Sequence, residues 1–477
     1  MPQRTPHVVV VGAGFAGLEV VKGLKRTPVR VTLVDQHNHH TFQPLLYQVA
    51  GAQLDAGEVA HQVRAVLRRQ ANARFLQGTV TGVDWTAKTV RVTDPGAPGA
   101  PDGVPPDDVH DLAFDELVVA PGAIYADFGV PGVREHAHFL KSLSEAVNLR
   151  SALLRRFEAA AAAEARGDAP KPGTLTFAII GGGPTGVEMA GALAELVHGV
   201  LPGDYPDLDL ARARIVLLEM SDALLPPFAP ASQRHARRVL ERRGVEVRTG
   251  AAVAEVRRDG LVLEGGDVLP AHTTIWAAGV EAHPLAKALG LETTRGGRLV
   301  TAADLSLPGT DGGWAAGDVA ATHDDDGRLH PQVAPVAIQH GQHVARAIRA
   351  KLAGRPTPRF HYADKGMMAI IGRNAGVAEL SRRLGGLQLR GFLGWLGWLL
   401  IHLVYLPGHR NRLGAFVTWA YAYLTRDRHA RLITAMEPSP AERTGRTGRV
   451  VTVPPPDPDP AGGTAGGAAG GDTSRAA

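Results

Sequence analysis

The chain has 477 residues, a formal net charge of +4 and no cysteine. This length leaves room for about three domains, and the lack of cysteine excludes disulfides, iron–sulfur clusters, thiolate zinc sites and any cysteine-based redox relay. The net charge is too small to indicate a nucleic acid partner, and we predict none. A predicted strand begins almost at the N-terminus, near His7, so we expect no signal peptide and a cytoplasmic location.

Residues 7–35 predict a nucleotide-binding unit. The sequence HVVVVGAGFAGLEVVKGL reads as strand, glycine turn and helix, and RVTLVD reads as a second strand that ends at Asp35. In the motif Gly12-x-Gly14-x-x-Gly17 the first glycine allows the tight turn. The second lets the backbone approach a pyrophosphate, and the third lets the helix pack on its strand. The helix N-terminus offers free N–H groups to phosphates, and Asp35 can bond both hydroxyls of a ribose.

The next residues carry a histidine cluster and several predicted strands. His37, His39 and His40 share one loop but lack i, i+4 spacing and thiolate neighbours, so we predict no metal site there. Residues 74–93 alternate as hairpin strands do, and residues 94–111 are rich in Pro, Gly and Asp, as exposed loops are. The stretch FDELVVAPGA then predicts a strand that ends in a small-residue turn at Gly122.

A second glycine motif follows an alanine-rich helix predicted over residues 141–166. The sequence LTFAIIGGGPTGVEMAG repeats strand, glycine turn and helix, and ARIVLLEM ends its next strand at Glu219. Glu219 lies about 30 residues past Gly186 rather than about 20, and we interpret residues 198–211 as an insertion. No arginine follows before Arg234, and a carboxylate repels a 2′-phosphate, so NADH is favoured over NADPH.

Later elements repeat the small-residue turns. Residues 232–263 predict a helix and short strands, and TTIWAAGV predicts a strand and turn. The stretch GGWAAGDVA places Asp318 before a helix, where it could cap that helix or bind a ribityl hydroxyl. Residues 333–352 predict a helix that carries Gln339.

The C-terminal third differs in character. GFLGWLGWLLIHLVYLPG is apolar over about 15 residues, short of the ~20 that span a bilayer. Residues 381–431 carry eight arginines and one aspartate, a net charge of +7. With a second helix expected near residues 413–424, this composition predicts helices that lie on an anionic membrane surface. We expect partial insertion of Phe392, Trp395, Trp398 and Leu399. A buried dimer helix is the alternative, and residues 436–477 predict a disordered tail.

Together these patterns predict an α/β protein with two Rossmann-like dinucleotide-binding domains, arranged as in glutathione reductase, and a C-terminal amphipathic helical membrane-binding region. The first of these domains is expected to cover residues 1–122 and 300–360, and the second residues 123–299. The resemblance given next implies that the first binds FAD and the second NADH. The membrane-binding region covers residues 361–435.

The sequence resembles the type II NADH dehydrogenases, which are single-subunit NADH:quinone oxidoreductases of the pyridine nucleotide-disulfide oxidoreductase superfamily. The resemblance covers residues 7–435 and rests on DQHNHHTFQPLLYQVA, GGGPTGVEMAG, WAAGV, AAGDVA, DKGMMAIIGR and YLPGHRNRL. It implies hydride transfer from NADH to FAD and then transfer of two electrons to a membrane quinone, without proton pumping. It also implies a peripheral homodimer on the cytoplasmic face of the cell membrane.

The resemblance assigns roles to residues. It implies flavin contacts from Gly12, Gly14, Asp35, Gln43 and Asp318, and NADH contacts from Gly182, Gly183, Glu188 and Glu219. Further cofactor contacts are expected at Phe15, Ala16, Gly17, Val80, Gly122, Thr185, Gly186, Ala278 and Gly279. Catalytic roles are implied for Glu188, Gln339 and Lys365. The family's quinone motif Ala-Gln-x-x-x-Gln aligns with Ala334, Pro335 and Gln339, so Pro335 replaces the first glutamine.

Other classes share the two-nucleotide architecture. Disulfide reductases and sulfide:quinone oxidoreductases need redox cysteines, which this chain lacks. A flavoprotein that passes electrons from NADH to a soluble acceptor remains an alternative, and so does a non-catalytic sensor that binds FAD and NADH.

Overall fold

The computed structural model describes residues 4–93 and 109–434. Most of the predicted loop at 94–111 and the whole predicted tail at 436–477 lie outside these residues. The elements are numbered in chain order.

The strands are β1 His7–Val11, β2 Arg30–Asp35, β3 His39–Thr41, β4 Ala60–Gln62, β5 Ala73–Gln77, β6 Thr79–Asp84, β7 Thr89–Thr93, β8 Val109–Ala113, β9 Glu116–Val119, β10 Ala123–Tyr125, β11 Ala137–His138, β12 Thr176–Ile180, β13 Arg214–Glu219, β14 Val245–Thr249, β15 Val253–Arg257, β16 Gly260–Leu263, β17 Val268–Pro270, β18 Thr273–Trp276, β19 Val280–Ala282, β20 Leu299–Val300, β21 Gly313–Ala315, β22 Ala320–Ala321, β23 Gly366–Gly372, β24 Ala375–Leu380 and β25 Gln388–Gly391. The helices are α1 Phe15–Gly23, α2 Leu46–Ala50, α3 Ala56–Val59, α4 Val63–Leu67, α5 Val133–His136, α6 Leu143–Ala165, α7 Pro184–Glu195, α8 Leu201–Asp204, α9 Pro230–Arg242, α10 Leu285–Ala288, α11 Ala334–Leu352, α12 Phe392–Tyr405 and α13 His409–Thr425.

The first sheet is parallel and carries the first glycine turn. Its strand order is β21-β9-β1-β2-β5, and every adjacent pair runs parallel. All five residues of β1 are buried, as expected for a strand covered on both faces. Helices α1 and α11 approach closely, because a Cβ on Gly341 would lie 2.2 Å from the carbonyl oxygen of Ala16.

The second sheet repeats this arrangement around the second glycine turn. Its order is β11-β18-β12-β13-β14, again with parallel neighbours. All residues of β12 are buried, and α7 follows it directly. Two parallel sheets, each with a strand–glycine turn–helix unit at its centre, confirm the predicted α/β fold with two Rossmann-like units.

A short antiparallel ribbon of β10 and β19 connects the two sheets, with Ile124 opposite Glu281. After β19 the chain returns to the first sheet, where Leu285 and Ala286 pack with Val9 and Leu117. The region predicted as hairpin strands over residues 74–93 divides in two. Strands β6 and β7 form the hairpin, whereas β5 pairs in parallel with β2 because the chain turns at Gly78 before the hairpin begins.

The C-terminal region consists of the antiparallel sheet β23-β24-β25 followed by the helical hairpin α12–α13. Helix α13 begins at His409 rather than near Leu413, directly after Gly408 at φ +85°. Trp398, Leu406 and Ala415 are buried in the same apolar cluster as Tyr47 and Ile371. The hairpin is therefore part of the core on one side. Within residues 4–93 and 109–434, no helix has the length and apolar character that crossing a membrane requires.

Candidate functional site

The two glycine turns have the geometry that a bound pyrophosphate requires. Gly12 has φ +100°, and a Cβ there would lie 2.2 Å from the carbonyl oxygen of Ala120. A Cβ on Gly17 would lie 1.9 Å from the Gly12 carbonyl oxygen, so this glycine is what allows α1 to pack on its strand. At Gly14 a Cβ would meet no atom within 4 Å. The backbone at Gly14 is thus open on the side where a phosphate would approach the N-terminus of α1.

The second turn repeats each of these features. Gly181 has φ +107°, and a Cβ there would lie 2.6 Å from the carbonyl oxygen of Ala277. A Cβ on Gly186 would lie 1.8 Å from the Gly181 carbonyl oxygen, whereas one on Gly183 would meet nothing within 4 Å. Thr185 is exposed in the first turn of α7. Both turns therefore offer a cradle to a dinucleotide.

The two acids predicted to bind ribose make equivalent hydrogen bonds in the two units. Asp35 Oδ2 accepts the Ala13 N–H at 2.6 Å, and Glu219 Oε2 accepts the Gly182 N–H at 2.5 Å. In each unit the acid at the end of the second strand thus holds the residue after the first glycine. The other carboxylate oxygens also accept backbone N–H groups, from His37 and Ser221.

Two residues predicted to contact the flavin, Gln43 and Asp318, both lie close to Lys141. Lys141 Nζ lies 3.5 Å from Asp318 Oδ2, and Gln43 Nε2 donates to the Lys141 carbonyl oxygen at 3.2 Å. Asp318 lies in a short 3₁₀ turn, and the residue that precedes α11 is Val333. The alternative that Asp318 caps a helix is therefore wrong. Sequence patterns did not single out Lys141, which lies directly before the Ser142 cap of α6.

The remaining predicted cofactor residues lie around the two turns. Phe15 packs edge-on against His40 and Phe42, and Ala16 is buried in α1. Val80 packs partly buried against the core of the first sheet. Gly122 and Gly279 lie at opposite ends of the β10–β19 ribbon. Ala278, directly before Gly279, is exposed. Their contacts with cofactors remain predictions.

His39 and His40, predicted to lie in a loop, instead lie in strand β3, which pairs with β4. His40 is buried, and its Nδ1 lies 2.9 Å from the Ala13 carbonyl oxygen. Burial lowers the pKa of His40 to about 4, so its ring is neutral and supports the first glycine turn.

Elsewhere Asp55, Glu58 and His429 place ligand atoms within 4.8 Å of one another. These atoms bond protein groups, since Thr418 donates to Glu58 at 2.6 Å and His429 Nε2 lies 3.1 Å from Asp55.

Glu188 is buried on α7, two residues after Gly186, the last glycine of the second motif. Its Oε1 accepts the Ile370 N–H at 3.3 Å. Burial raises the pKa of Glu188 to about 8, although hydrogen bonding from the Ile370 amide and the Trp398 indole acts in the opposite direction. A carboxyl group that keeps its proton at neutral pH inside a protein is suited to proton transfer.

A cavity of about 620 Å³ extends from Glu188 to the C-terminal hairpin. Its walls come from α2, α7, β23, α12 and α13. Leu396, Leu399, Leu403 and Phe416 give it an apolar lining, and the polar groups facing it include Tyr47, Gln48 and Glu188. An apolar cavity with a few polar groups is typical of a site for a small apolar molecule.

Gln339 and Lys365 lie outside the set of described residues that lines this cavity. The Gln339 amide is engaged at both ends by Ala363, donating to its carbonyl oxygen at 3.0 Å and accepting its N–H at 2.9 Å. Lys365 Nζ donates to the Tyr405 hydroxyl at 2.9 Å. Pro335 occupies the first turn of α11. The N–H group that proline lacks would have no helical acceptor at this position. Lys365 thus contacts the C-terminal end of α12 through Tyr405, whereas Glu188 lies in the wall of the cavity.

Two residues assigned to the membrane from the sequence point inward instead. Trp398 is 1% exposed and stacks on His402 with ring centroids 3.7 Å apart. Arg428 is buried and donates to the carbonyl oxygens of Gly51 and Ala192 and to Glu195. The expected insertion of Trp398 is therefore wrong, and so is the contribution of Arg428 to a basic surface. The apolar run of α12 is too uniform for sequence to distinguish its inner from its outer side.

Comparison with known proteins agrees with this geometry. A family model described as pyridine nucleotide-disulphide oxidoreductase matches residues 6–341. The type II NADH:quinone oxidoreductase Ndh of Mycobacterium tuberculosis is 38% identical over 446 residues, which cover 91% of each chain. A type II NADH:quinone oxidoreductase of Staphylococcus aureus is 31% identical, over 79% of this chain and 90% of that protein.

The chain belongs to the type II NADH:quinone oxidoreductase family. The structure of NDH2 from Plasmodium falciparum in complex with NADH has the same fold. It matches at a TM-score of 0.78 and 18% identity, over 91% of this chain and 100% of that chain. The sulfide:quinone oxidoreductase of Aquifex aeolicus matches at a TM-score of 0.66 and 15% identity, over 88% of this chain and 96% of that chain. Within this wider fold, a type II NADH:quinone oxidoreductase without cysteine cannot carry the redox thiols of the disulfide reductases.

Proposed function

We propose that this protein is an NADH:quinone oxidoreductase that uses FAD to transfer electrons from NADH to a membrane quinone. The observation that carries the proposal is the matched acid–amide geometry of the two glycine turns, at Asp35 with Ala13 and at Glu219 with Gly182. Two dinucleotides bound at these turns would meet between the two sheets. When bound, FAD supplies acceptance of a hydride and release of two electrons.

The residues of the first unit hold FAD, and those of the second hold NADH. Gly14 and the N-terminus of α1 receive the FAD pyrophosphate, Asp35 binds its ribose, and Gln43 and Asp318 lie toward the flavin. Gly183 and Glu219 do the same for NADH. The openness at both second glycines supports this assignment, because a Cβ at either would point into free space.

The quinone binds where the cavity walls are apolar, and Glu188 supplies a proton to it. Reduction of a quinone to a quinol adds two electrons and two protons, of which NADH brings two electrons and one proton. Glu188 is the buried group in the cavity wall whose raised pKa keeps a proton available. Gln339 and Lys365 contribute to the second half-reaction. They do so from the α11 and α12 side, since Lys365 contacts Tyr405.

The hairpin α12–α13 docks the enzyme on the surface of an anionic membrane. Its outer side exposes large apolar residues, including Val404 and Leu413, each 64% exposed, and Leu424, 81% exposed. Contiguous exposed apolar surface of this kind marks an interaction site. Five exposed arginines flank it without an ion pair to any described residue: Arg382, Arg383, Arg390, Arg410 and Arg426.

A flotation experiment tests the membrane surface. Val404→Glu and Leu413→Glu should each reduce binding of the full-length protein to anionic liposomes, because a charge replaces buried apolar contact. Val268→Glu is the matched control, since Val268 is 59% exposed on β17 away from the hairpin. Salt should weaken wild-type binding without abolishing it, because screening acts on the arginines. Equal binding of all four proteins would contradict the proposal.

We also propose the cytoplasmic face of the cell membrane as the location and a homodimer as the assembly. The proposed location is supported by the supply of NADH on the cytoplasmic side of the membrane. Exposed apolar residues beyond α13, Leu432 and Ile433, support the second. Sedimentation in detergent with and without Leu432→Glu tests the dimer, which the variant should weaken.

The reaction itself is tested anaerobically with the purified flavoprotein. The proposal requires one quinol formed for each NADH consumed. Reduction of a soluble acceptor with no quinol formed would favour a soluble NADH reductase. Binding of NADH without flavin reduction would favour a redox sensor.

A further inference from the structure

A directed chain of three side chains lies in the wall of the cavity. Trp419 Nε1 donates to Gln48 Oε1 at 2.7 Å, and Gln48 Nε2 donates to the Tyr47 hydroxyl at 2.8 Å. An indole nitrogen can only donate, so the Gln48 oxygen must face Trp419. The Gln48 NH₂ group must then face Tyr47, and the Tyr47 oxygen must act as the acceptor. The orientation of the whole chain follows from the one donor at its start.

The proton of the Tyr47 hydroxyl is therefore free to be donated elsewhere. Among residues 4–93 and 109–434, none accepts it within hydrogen-bonding distance. Tyr47 is only 4% exposed, and it lines the cavity beside Glu188. A buried donor without an acceptor is costly, which indicates that a molecule in the cavity provides the acceptor.

We propose that Tyr47 donates a hydrogen bond to a carbonyl oxygen of the quinone and stabilises the negative charge that develops there during reduction. This assignment rests on the proposed function, because it requires a quinone in the cavity. Tyr47 follows Gln43 by four residues, and its ring packs against Trp398 at 6.1 Å between centroids. The hydroxyl is thus held between the expected flavin side and the hairpin.

The electrostatics of the cavity fit a donor that keeps its own proton. Burial raises the pKa of Tyr47 well above its ordinary value, and the neighbouring Glu188 raises it further. In the overall reaction, NADH, a proton and a quinone give NAD⁺ and a quinol, so no proton is lost from Tyr47. Donation along the chain from Trp419 and Gln48 polarises the Tyr47 hydroxyl and strengthens its hydrogen bond.

The test separates the two half-reactions in Tyr47→Phe, which keeps the ring and its packing. Flavin reduction by NADH should be unchanged, and reoxidation by a short-chain quinone should slow by about 10- to 100-fold. Reoxidation by ferricyanide, which needs no hydrogen bond to a carbonyl oxygen, should match the wild type. Tyr205→Phe is the control, since its hydroxyl donates to Glu158 at an exposed site.

Two further variants distinguish direct donation from an indirect effect. Trp419→Phe frees the Gln48 amide to turn and accept the Tyr47 proton, so it should slow quinone-dependent reoxidation by less than Tyr47→Phe. In a Glu188→Gln background, Tyr47→Phe should slow reoxidation by a further factor similar to its effect alone. No further loss in that background would mean that Tyr47 acts through Glu188 and would overturn the proposal.

Other outcomes are also decisive. Quinone reduction by Tyr47→Phe at the rate of Tyr205→Phe would overturn the role of Tyr47 while leaving the proposed function intact. Equal slowing of both half-reactions would assign Tyr47 to flavin placement and overturn it as well. A wild-type protein that reduces ferricyanide but no quinone would instead contradict the proposed function.

Discussion

We propose that Asp35 and Glu219 each hold both a glycine turn and the ribose of a bound nucleotide. Each carboxylate accepts an N–H from its own glycine turn and keeps lone pairs for a ribose. The acid therefore sets the turn in place before the nucleotide arrives, so that little is reorganised on binding.

Replacing Asp35 with Asn should weaken FAD binding. The change removes the charge from hydrogen bonds that contribute about 1.5–3 kcal/mol each, so we expect the Kd to rise at least tenfold. Quenching of flavin fluorescence on titration with the apoprotein measures it. Asp267→Asn, at an exposed surface position, is the control, and an unchanged Kd in Asp35→Asn would remove Asp35 from the FAD site.

The nucleotide preference should depend on Glu219. Glu219→Gln combined with Ser221→Arg should raise the ratio of kcat/KM for NADPH over NADH by at least tenfold, because a repulsive carboxylate is replaced by an attractive cation. Ser221→Arg alone is the matched variant, which keeps Glu219 and should shift the ratio less. A wild type that uses both nucleotides equally would argue against this role.

Glu188 should make stability depend on pH. Its pKa is about 8 in the folded protein and near 4.5 when unfolded, so the folded state holds a proton that the unfolded state releases between these values. Stability from this group is therefore fully present below about pH 4.5 and is lost as the pH rises through about 8. Glu188→Gln should have a Tm close to wild type at pH 5 and a higher Tm at pH 9. The same Tm difference at both pH values would contradict the raised pKa.

At the scale of elements, the segment that follows α13 is fixed to α7 by an ion pair between the buried Arg428 and the partly buried Glu195. Arg428 NH2 donates to Glu195 Oε2 at 2.9 Å, and both Gly51 and Ala192 accept from NH1. Glu195 also pairs with Arg243 at 2.5 Å. This network joins the hairpin to the helix that carries Glu188, and it encloses the cavity between them.

Removing the Arg428 guanidinium should loosen the hairpin. Arg428→Leu removes one partner of Glu195, which keeps Arg243, and a donor to the buried carbonyl groups of Gly51 and Ala192. We expect a cost of about 1–3 kcal/mol and a lower Tm. Arg426→Leu, two residues earlier and exposed, should leave the Tm nearly unchanged. If the two variants had the same Tm, the contacts of the Arg428 guanidinium would not contribute to stability.

The glycine turns were predictable from sequence because their requirements are local. Gly12 and Gly181 need positive φ, and Gly17 and Gly186 need space against their own strands, so spacing alone identifies them. The inner side of the hairpin was not predictable. Helix α12 is apolar on all sides, and only tertiary packing decides that Trp398 is buried while Phe392 is half exposed.

The polar partners inside the site were also beyond sequence reasoning. The sequence assigns Arg428 to a basic surface, whereas in the structure its buried guanidinium contacts Glu195. Gln339 stays a predicted contributor to the second half-reaction, but the sequence does not show that Ala363 binds both ends of its amide. Such pairings join residues far apart in the chain, and no periodicity reports them. The contact of His40 with the Ala13 carbonyl oxygen is a further example, and the absence of a metal at these histidines stays a prediction.

On the scale of the whole molecule, helix α7 links the second glycine turn to the cavity and the C-terminal hairpin. Helix α7 starts at the turn where we propose that NADH binds, places Glu188 in the cavity wall and ends at Glu195, which contacts Arg428. NADH would arrive from water, whereas a quinone would arrive from the membrane side of α12 and α13. Under this proposal, separate entrances would let the two substrates use one flavin without competing for one opening.

Rapid mixing of the half-reactions tests this account most directly. The oxidised flavoprotein is mixed with one equivalent of NADH under anaerobic conditions, and the reduced protein is then mixed with a short-chain quinone. The account predicts that NADH bleaches the flavin absorbance within the turnover time and that the quinone restores it with formation of one quinol per flavin. A flavin that NADH reduces but no quinone reoxidises would contradict it.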